Sequence, residues 1–159
     1  MALSDADIEP MREAIAASRM ARDSGNMPFG AALVGTTGEV LWVSLNNQVS
    51  TGDCTGHAEL VLVREASAAL GADMLRGSTV YASGEPCPMC SGAMFWAGVA
   101  RVVYAATQAD ITAALGEPQL GTGAAQILSH GTPAVQVDGP LLREEAKAQL
   151  APPRSTILS

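Results

Sequence analysis

Basic residues, charge of either sign and cysteines are all scarce in this 159-residue sequence, and each scarcity narrows the range of functions. Nine Lys and Arg stand against sixteen Asp and Glu, for a formal net charge of −7. The nine are scattered as Arg12, Arg19, Arg22, Arg64, Arg76, Arg101, Arg143, Lys147 and Arg154. A nucleic-acid binder draws much of its affinity from a basic patch. None is visible, so the composition argues against nucleic acid as a partner. Charged residues make up only 16% and apolar residues 48%, which excludes a disordered chain and predicts a folded globule. No apolar run reaches the ~18 residues of a membrane span. The opening "MALSDADIEPMREA" is acidic and lacks a basic region followed by an apolar one, so no signal peptide is expected. The three cysteines are an odd number, two of them spaced C-x-x-C. That fits metal ligation in a reducing compartment better than a disulfide framework, and the cytoplasm is the expected location.

What is present reads as one α/β domain over residues 1–159, without repeats or linkers. Ser4 with Asp7 resembles a capping box, and Ile8, Met11, Ala14, Ile15 and Ser18 follow helical spacing. "SGNMPFG" (24–30) ends that helix, and "AALVGTTGEVLWVSL" reads as a hairpin. "NNQVSTGDCTG" (46–56) reads as a polar loop. "HAELVLVREASAALG" reads as a helix with Leu60, Val61, Val63 and Ala68 available to a core and Gly71 as its stop. "STVYAS" (78–83) and "ARVVYAA" (100–106) read as strands flanking a helix "MCSGAMFWAGV" opened by Pro86 and Pro88. "PAVQV" (133–137) is a candidate fifth strand and "PLLREEAKAQL" (140–150) a closing helix with Pro140 in its first turn. Hairpin plus crossover helices predict a three-layer α/β/α sandwich around a mixed five-stranded sheet.

Sites in such folds gather beyond the carboxyl ends of parallel strands, at helix N-termini. His57 and the pair Cys87/Cys90 in "PCPMC" both fall at predicted helix starts, where the helix dipole favours thiolates. Imidazole with soft sulfur is a zinc-type donor set. Two arrangements are open. Cys54-x-x-His57 facing Cys87-x-x-Cys90 would make a closed, structural Cys3His site. Without Cys54, three ligands leave a fourth position for a water whose pKa zinc lowers to roughly 7. Glu59, two residues past His57, favours the open site because it could shuttle that water's proton, although an exposed carboxylate near a helix N-terminus is also ordinary.

The combination His57-Ala58-Glu59 with Pro86-Cys87-Pro88-Met89-Cys90 is the signature of zinc-dependent nucleobase deaminases. From about Pro28 to Ala106 the sequence resembles the cytidine deaminase superfamily, and within it guanine deaminases and bacterial tRNA adenosine deaminases. The resemblance implies a cytidine deaminase-like fold, zinc held by His57, Cys87 and Cys90, and Glu59 as proton shuttle. Cys54 falls where relatives often carry proline, which implies a substitution; a buried free thiol is the expectation for it. Asn46, eleven positions before His57, matches a residue whose amide contacts the base. Phe29 and the backbone at Ala58 match pocket positions, and Asp110 aligns with an acidic residue that could bind an exocyclic amine. Phe95 and Trp96 are expected in the core or in the homodimer contact that the resemblance implies. His130 in "ILSHGTP" reads as a loop residue, and "GTGAAQ" (121–126) lacks the Lys-Ser/Thr of a phosphate loop.

Guanine or a similar free amino-heterocycle is the leading substrate on Asn46, Asp110 and the low basic charge. A tRNA adenosine deaminase would want a basic C-terminal helix, whereas Glu144 and Glu145 offset Arg143, Lys147 and Arg154 there. Cytosine or another amino-heterocycle, and a non-catalytic structural zinc domain, are the other readings.

Overall fold

The computed structural model describes residues 2–116 and 120–152. Ser4 caps the chain's first turn: its N–H donates to Asp7 Oδ2 at 2.7 Å, completing the capping box. A short 3-10 turn leads into α1 (Ile8–Asp23), whose buried stripe is Met11, Ala14, Ile15, Ala17, Ser18 and Ala21. Antiparallel strands β1 (Gly30–Val34) and β2 (Val40–Leu45) form the expected hairpin. The sequence 46–56 is not wholly loop. It contains a one-turn helix α2 (Gln48–Thr51), whose first amides are held by the Asn26 side-chain oxygen at 2.9 and 3.1 Å. A cap contributed from elsewhere in the chain is what short-range patterning does not reveal.

The helix α3 (Ala58–Leu70) ends at Gly71, as expected, in a positive-φ conformation that favours glycine. Its buried face is Ala58, Glu59, Val61, Leu62 and Ala66, one step round from the expected set: Ala68 is exposed and Leu62 is fully buried. β3 (Thr79–Gly84), α4 (Pro88–Ala97) and β4 (Arg101–Ala106) follow as a right order of strand, crossover helix and parallel strand. Two helices absent from the sequence reading come next, α5 (Gln108–Leu115) and α6 (Ala124–Leu128). The last strand β5 (Gln136–Asp138) is shorter and later than "PAVQV". The closing helix α7 covers only Arg143–Lys147, because Leu142 before it adopts a left-handed φ of 54°, which leaves Pro140 outside.

The sheet order is β2-β1-β3-β4-β5, with β1 antiparallel to both neighbours and β3, β4 and β5 parallel. Alternate residues serve opposite faces. Ala31, Leu33, Val80 and Val102 pack on α3, α4 and α6 through Leu62, Met94 and Leu128. Ala32, Val34, Tyr81 and Val103 pack on α1 and the C-terminal segment through Met11, Ile15 and Ala146. α1 lies so close to β1 that a Cβ on Gly30 would come within 2.3 Å of the Ala14 carbonyl oxygen. This is the α/β/α sandwich with a mixed five-stranded sheet.

Strand direction places the chemistry. The carboxyl ends of β2, β3 and β4 and the amino end of β1 share one edge. Asn46 N–H bonds the Phe29 carbonyl at 3.0 Å and Glu85 N–H bonds the Ala106 carbonyl at 2.8 Å.

Candidate metal centre and active site

His57 and Cys87 are each the N-cap of a helix, α3 and α4, and neither side chain caps its own helix. Residues at this position normally spend their side chains on the free amides of the first turn. Here both are left for another partner. Cys90, one turn into α4, shares a face with Cys87 by the i, i+3 rule. The ligand atoms of His57, Cys87 and Cys90 all lie within 4.8 Å of one another. Cys87 Sγ and His57 Nδ1 are 3.5 Å apart. Zinc bonds of 2.0–2.1 Å to nitrogen and 2.3 Å to sulfur at a tetrahedral angle would set such a pair about 3.6 Å apart, so the donor set and its spacing fit zinc.

The electrostatics point the same way. The hydrogen bond from the Cys90 thiol, followed by that from His57, outweighs burial and holds the Cys87 thiol at about 4. The same bond, with burial, drives Cys90 upward, and its partner Cys87 raises His57. Glu59, in the first turn of α3, is 6% exposed, and burial pushes its carboxyl up to about 7.

These residues open onto a cavity of about 500 Å3, lined on its polar side by Asn46, Gln48, His57, Glu59, Glu85 and Cys87. Its apolar wall includes Phe29, Ile111, Leu115 and Leu120. Gly84 forms part of the floor; a Cβ there would lie 2.9 Å from the Phe29 ring and 3.0 Å from Ile111, so glycine lets both close on the cavity.

Of the residues singled out from sequence, His57, Glu59, Cys87, Asn46 and Phe29 meet at this cavity, with Cys90 buried beside it. Ala58 is wholly buried at the first position of α3 and does not line it. Asp110 does not reach the cavity. It completes a capping box at the start of α5 with Thr107, and both its oxygens engage Arg143, at 2.7 and 2.8 Å. The Arg143 guanidinium holds that carboxyl well below the usual range. The expectation that Asp110 binds an exocyclic amine therefore gives way to a structural role. Cys54 is exposed at the cavity, not buried, and stands outside the ligand cluster, so the Cys3His staple is not assembled. His130 is exposed and its Nδ1 lies 2.6 Å from the Gln126 carbonyl oxygen. Trp96 is 84% exposed and meets Phe95 edge to face.

Two polar residues of the site, and the apolar wall beyond Phe29, went unassigned in the sequence. Glu85 accepts the first amides of two helices, Gln108 N–H at 3.0 Å and Ala124 N–H at 3.3 Å, and so fixes α5 and α6 beside the metal loop. Its position just before Pro86-Cys87 was the available signal. Gln48 had none, since it lies in what reads as a loop.

A mixed sheet with a His-Cys-Cys centre at two helix N-termini defines a class, the zinc-dependent deaminases of the cytidine deaminase fold. Residues 4–106 match the family model of the cytidine and deoxycytidylate deaminase zinc-binding region, and the chain belongs to that family. It is a hydrolytic deaminase acting on C–N bonds, with zinc as its metal. The chain is 37% identical over 148 residues to a protein of Schizosaccharomyces pombe named "probable cytosine deaminase", covering 91% of this chain and 90% of that one. It is 40% identical over 96 residues to the tRNA-specific adenosine deaminase of Bacillus subtilis, covering 60% of this chain and 59% of the relative. Among solved structures, guanine deaminase from Nitrosomonas europaea superposes with a TM-score of 0.77 at 26% identity, covering 94% of this chain and 85% of that one. No helix among the described residues is long and apolar enough to cross a membrane.

Proposed function

We propose that the protein hydrolyses the exocyclic amine of a free nucleobase or similar small amino-heterocycle, releasing ammonia. The observation that carries this reading is a buried carboxylate, Glu59, beside a three-residue ligand set on a cavity of about 500 Å3. Zinc held by His57, Cys87 and Cys90 supplies a water acidified toward neutral pH. Glu59 removes the proton of the attacking water and delivers it to the ring nitrogen next to the amine-bearing carbon. It then carries the second proton to the departing nitrogen, so water and the amine become a ring carbonyl and ammonia. Phe29 and Ile111 exclude solvent and pack the ring faces, and the Asn46 amide orients the ring edge.

A free base is favoured over RNA by where the cations go. Arg12, Arg22, Arg64, Arg76, Arg101, Arg143 and Lys147 each pair with a carboxylate, which leaves little charge to track phosphates. Between bases, the diversion of Asp110 to Arg143 removes one of the two side chains that favoured guanine. The likeness to the Schizosaccharomyces pombe protein over nearly its full length supports a one-ring substrate of the cytosine type. Guanine is the second reading, favoured by the superposition on the Nitrosomonas enzyme. The family resemblance also implies a homodimer, and exposed Trp96 on α4, resting edge to face on half-buried Phe95, is a suitable contact surface; a monomeric mass in sedimentation would remove that part of the proposal.

Ammonia release across cytosine, guanine, adenine, isoguanine, aminotriazines and an anticodon stem-loop RNA tests the reading. Turnover of at least one free base is expected. Glu59→Gln should lower kcat by about 100-fold or more while zinc content stays at wild type. Turnover of the RNA alone, or an unchanged kcat in Glu59→Gln, would overturn the proposal.

A further inference from the structure

Asn46 is almost fully buried, and the hydrogen bonds around its carboxamide fix more than its own orientation. The Gln48 backbone N–H donates to Asn46 Oδ1 at 3.1 Å. A backbone N–H can only donate, so the Asn46 oxygen is placed and its NH2 group must lie on the other side. That NH2 donates to Gln48 Oε1 at 2.9 Å. The Gln48 oxygen is thereby held against Asn46, and its own NH2 is turned away from it. One main-chain amide orients two side-chain amides in series.

Gln48 lines the cavity. Among the described residues no hydrogen bond uses its Nε2, whereas the Glu85 carboxylate of the same cavity already accepts two backbone amides. The backbone around this arrangement is closely packed. Gly56 packs against it so closely that a Cβ there would lie 2.4 Å from Asn47 Oδ1 and 2.8 Å from the Gln48 nitrogen. The Asn47 N–H is also tied to the Gly56 carbonyl at 3.0 Å.

We infer that Gln48 is a specificity-determining residue of this deaminase: its NH2 group, with the remaining N–H of Asn46, presents a donor edge that accepts rings carrying a carbonyl oxygen there and rejects rings carrying an amino group. The inference rests on the reading that the cavity takes a free amino-heterocycle. It adds which edge chemistry that ring must have. An unpaired amino group against these donors would leave buried donors facing one another, the kind of mismatch polar sites reject most strongly.

Gln48→Glu isolates the effect, because a carboxylate can still accept from Asn46 while the donor becomes an acceptor. The zinc-loaded holoenzyme is titrated calorimetrically with pyrimidin-2-one and with 2-aminopyrimidine, which exchange a carbonyl for an amino group at C2 and with it the N1–H of the pyrimidinone; comparing the wild-type and variant ratios cancels that second difference. In Gln48→Glu, the preference of wild type for pyrimidin-2-one should fall by about tenfold or more, the scale of one hydrogen bond to a charged partner. KM for cytosine should rise more than kcat falls. Gln48→Leu, which removes both polar groups without adding charge, should bring the two probes close to equal affinity. Equal losses on both probes, or an unchanged ratio, would overturn the assignment, since a purely structural role moves both together. A wild-type enzyme that binds neither probe overturns it too, even if it deaminates other rings. Preferential binding of pyrimidin-2-one with no ammonia from any ring would sink the deaminase reading and leave the Gln48 assignment standing.

Discussion

Two buried polar clusters lie on opposite sides of the same sheet strands and are built on opposite rules. Near the start of β4, Asp7 accepts from Arg101 Nη1 at 2.7 Å and from the Tyr81 hydroxyl at 2.6 Å, and Arg101 Nε reaches Asp138 at 2.7 Å. Both carboxylates there pair with the one guanidinium, inside the protein. Burial alone would raise the Asp7 carboxyl, but the Arg101 and Tyr81 hydrogen bonds outweigh it and hold the group at about 2. At the carboxyl end of β3, His57, Cys87, Cys90 and Glu59 have no basic side chain paired with them among the described residues. Their counter-charge must come from outside. Burying charge is costly unless it is paired, so a cluster closed on itself stabilises the fold, while an open one keeps its affinity for a ligand.

Removing one member of each cluster should therefore have different consequences. The largest effect is expected at the open cluster. His57→Ala should weaken zinc binding by well over 100-fold, beyond the loss expected even from an outer-shell partner, and abolish turnover. Cys54→Ser, at the same cavity and three positions away in sequence, should leave zinc content and activity at wild type. Metal analysis after dialysis against a chelator reads both, and zinc loss in Cys54→Ser would restore the closed-staple reading. At the closed cluster, Arg101→Met leaves the Asp7 carboxylate buried without its cation. Urea denaturation should show a loss of about 3–5 kcal/mol with zinc content preserved. The smallest effect is on acid stability. The Asp7 carboxyl lies below its ordinary 3.8 in the fold, so its stabilisation is complete above about pH 4 and is lost as pH falls toward 2. The stability difference between wild type and Asp7→Asn should shrink by roughly 2 kcal/mol across that window, measured by denaturation of the metal-free proteins. A constant difference would show that the pair is not electrostatically coupled in the folded state.

The open cluster was legible in sequence because its members are set by helix starts. His57 precedes an apolar-periodic run, and Cys87 precedes Pro88 at the first position of α4, so their placement at two N-termini follows from local rules. The hairpin, β3 and β4 were legible for the same reason. Beyond Ala106 only part was: β5 and α7 overlap the strand and helix expected there, while α5 and α6 were missed. α5 carries a Thr107-x-x-Asp110 capping box of the kind that identified the first helix at Ser4 and Asp7, and that signal was available. α6, with five residues, is too short to show a period, and it is held by Glu85 from another element. Asp110 illustrates the limit most clearly. Its position matched a base-binding carboxylate, yet its partner Arg143 lies 33 residues further on, and no local pattern reports that pairing.

Sequence by itself determined the metal chemistry, because ligand type, the three-residue spacing and the helix starts are properties of short segments. Tertiary structure alone decided what surrounds that chemistry: Cys54 facing solvent, Asp110 withdrawn to Arg143, and Gln48 turned so that its donors are free. Asp110 depends on a partner 33 residues away, and all three depend on how segments pack around the cavity, which is resolved only when the chain has folded.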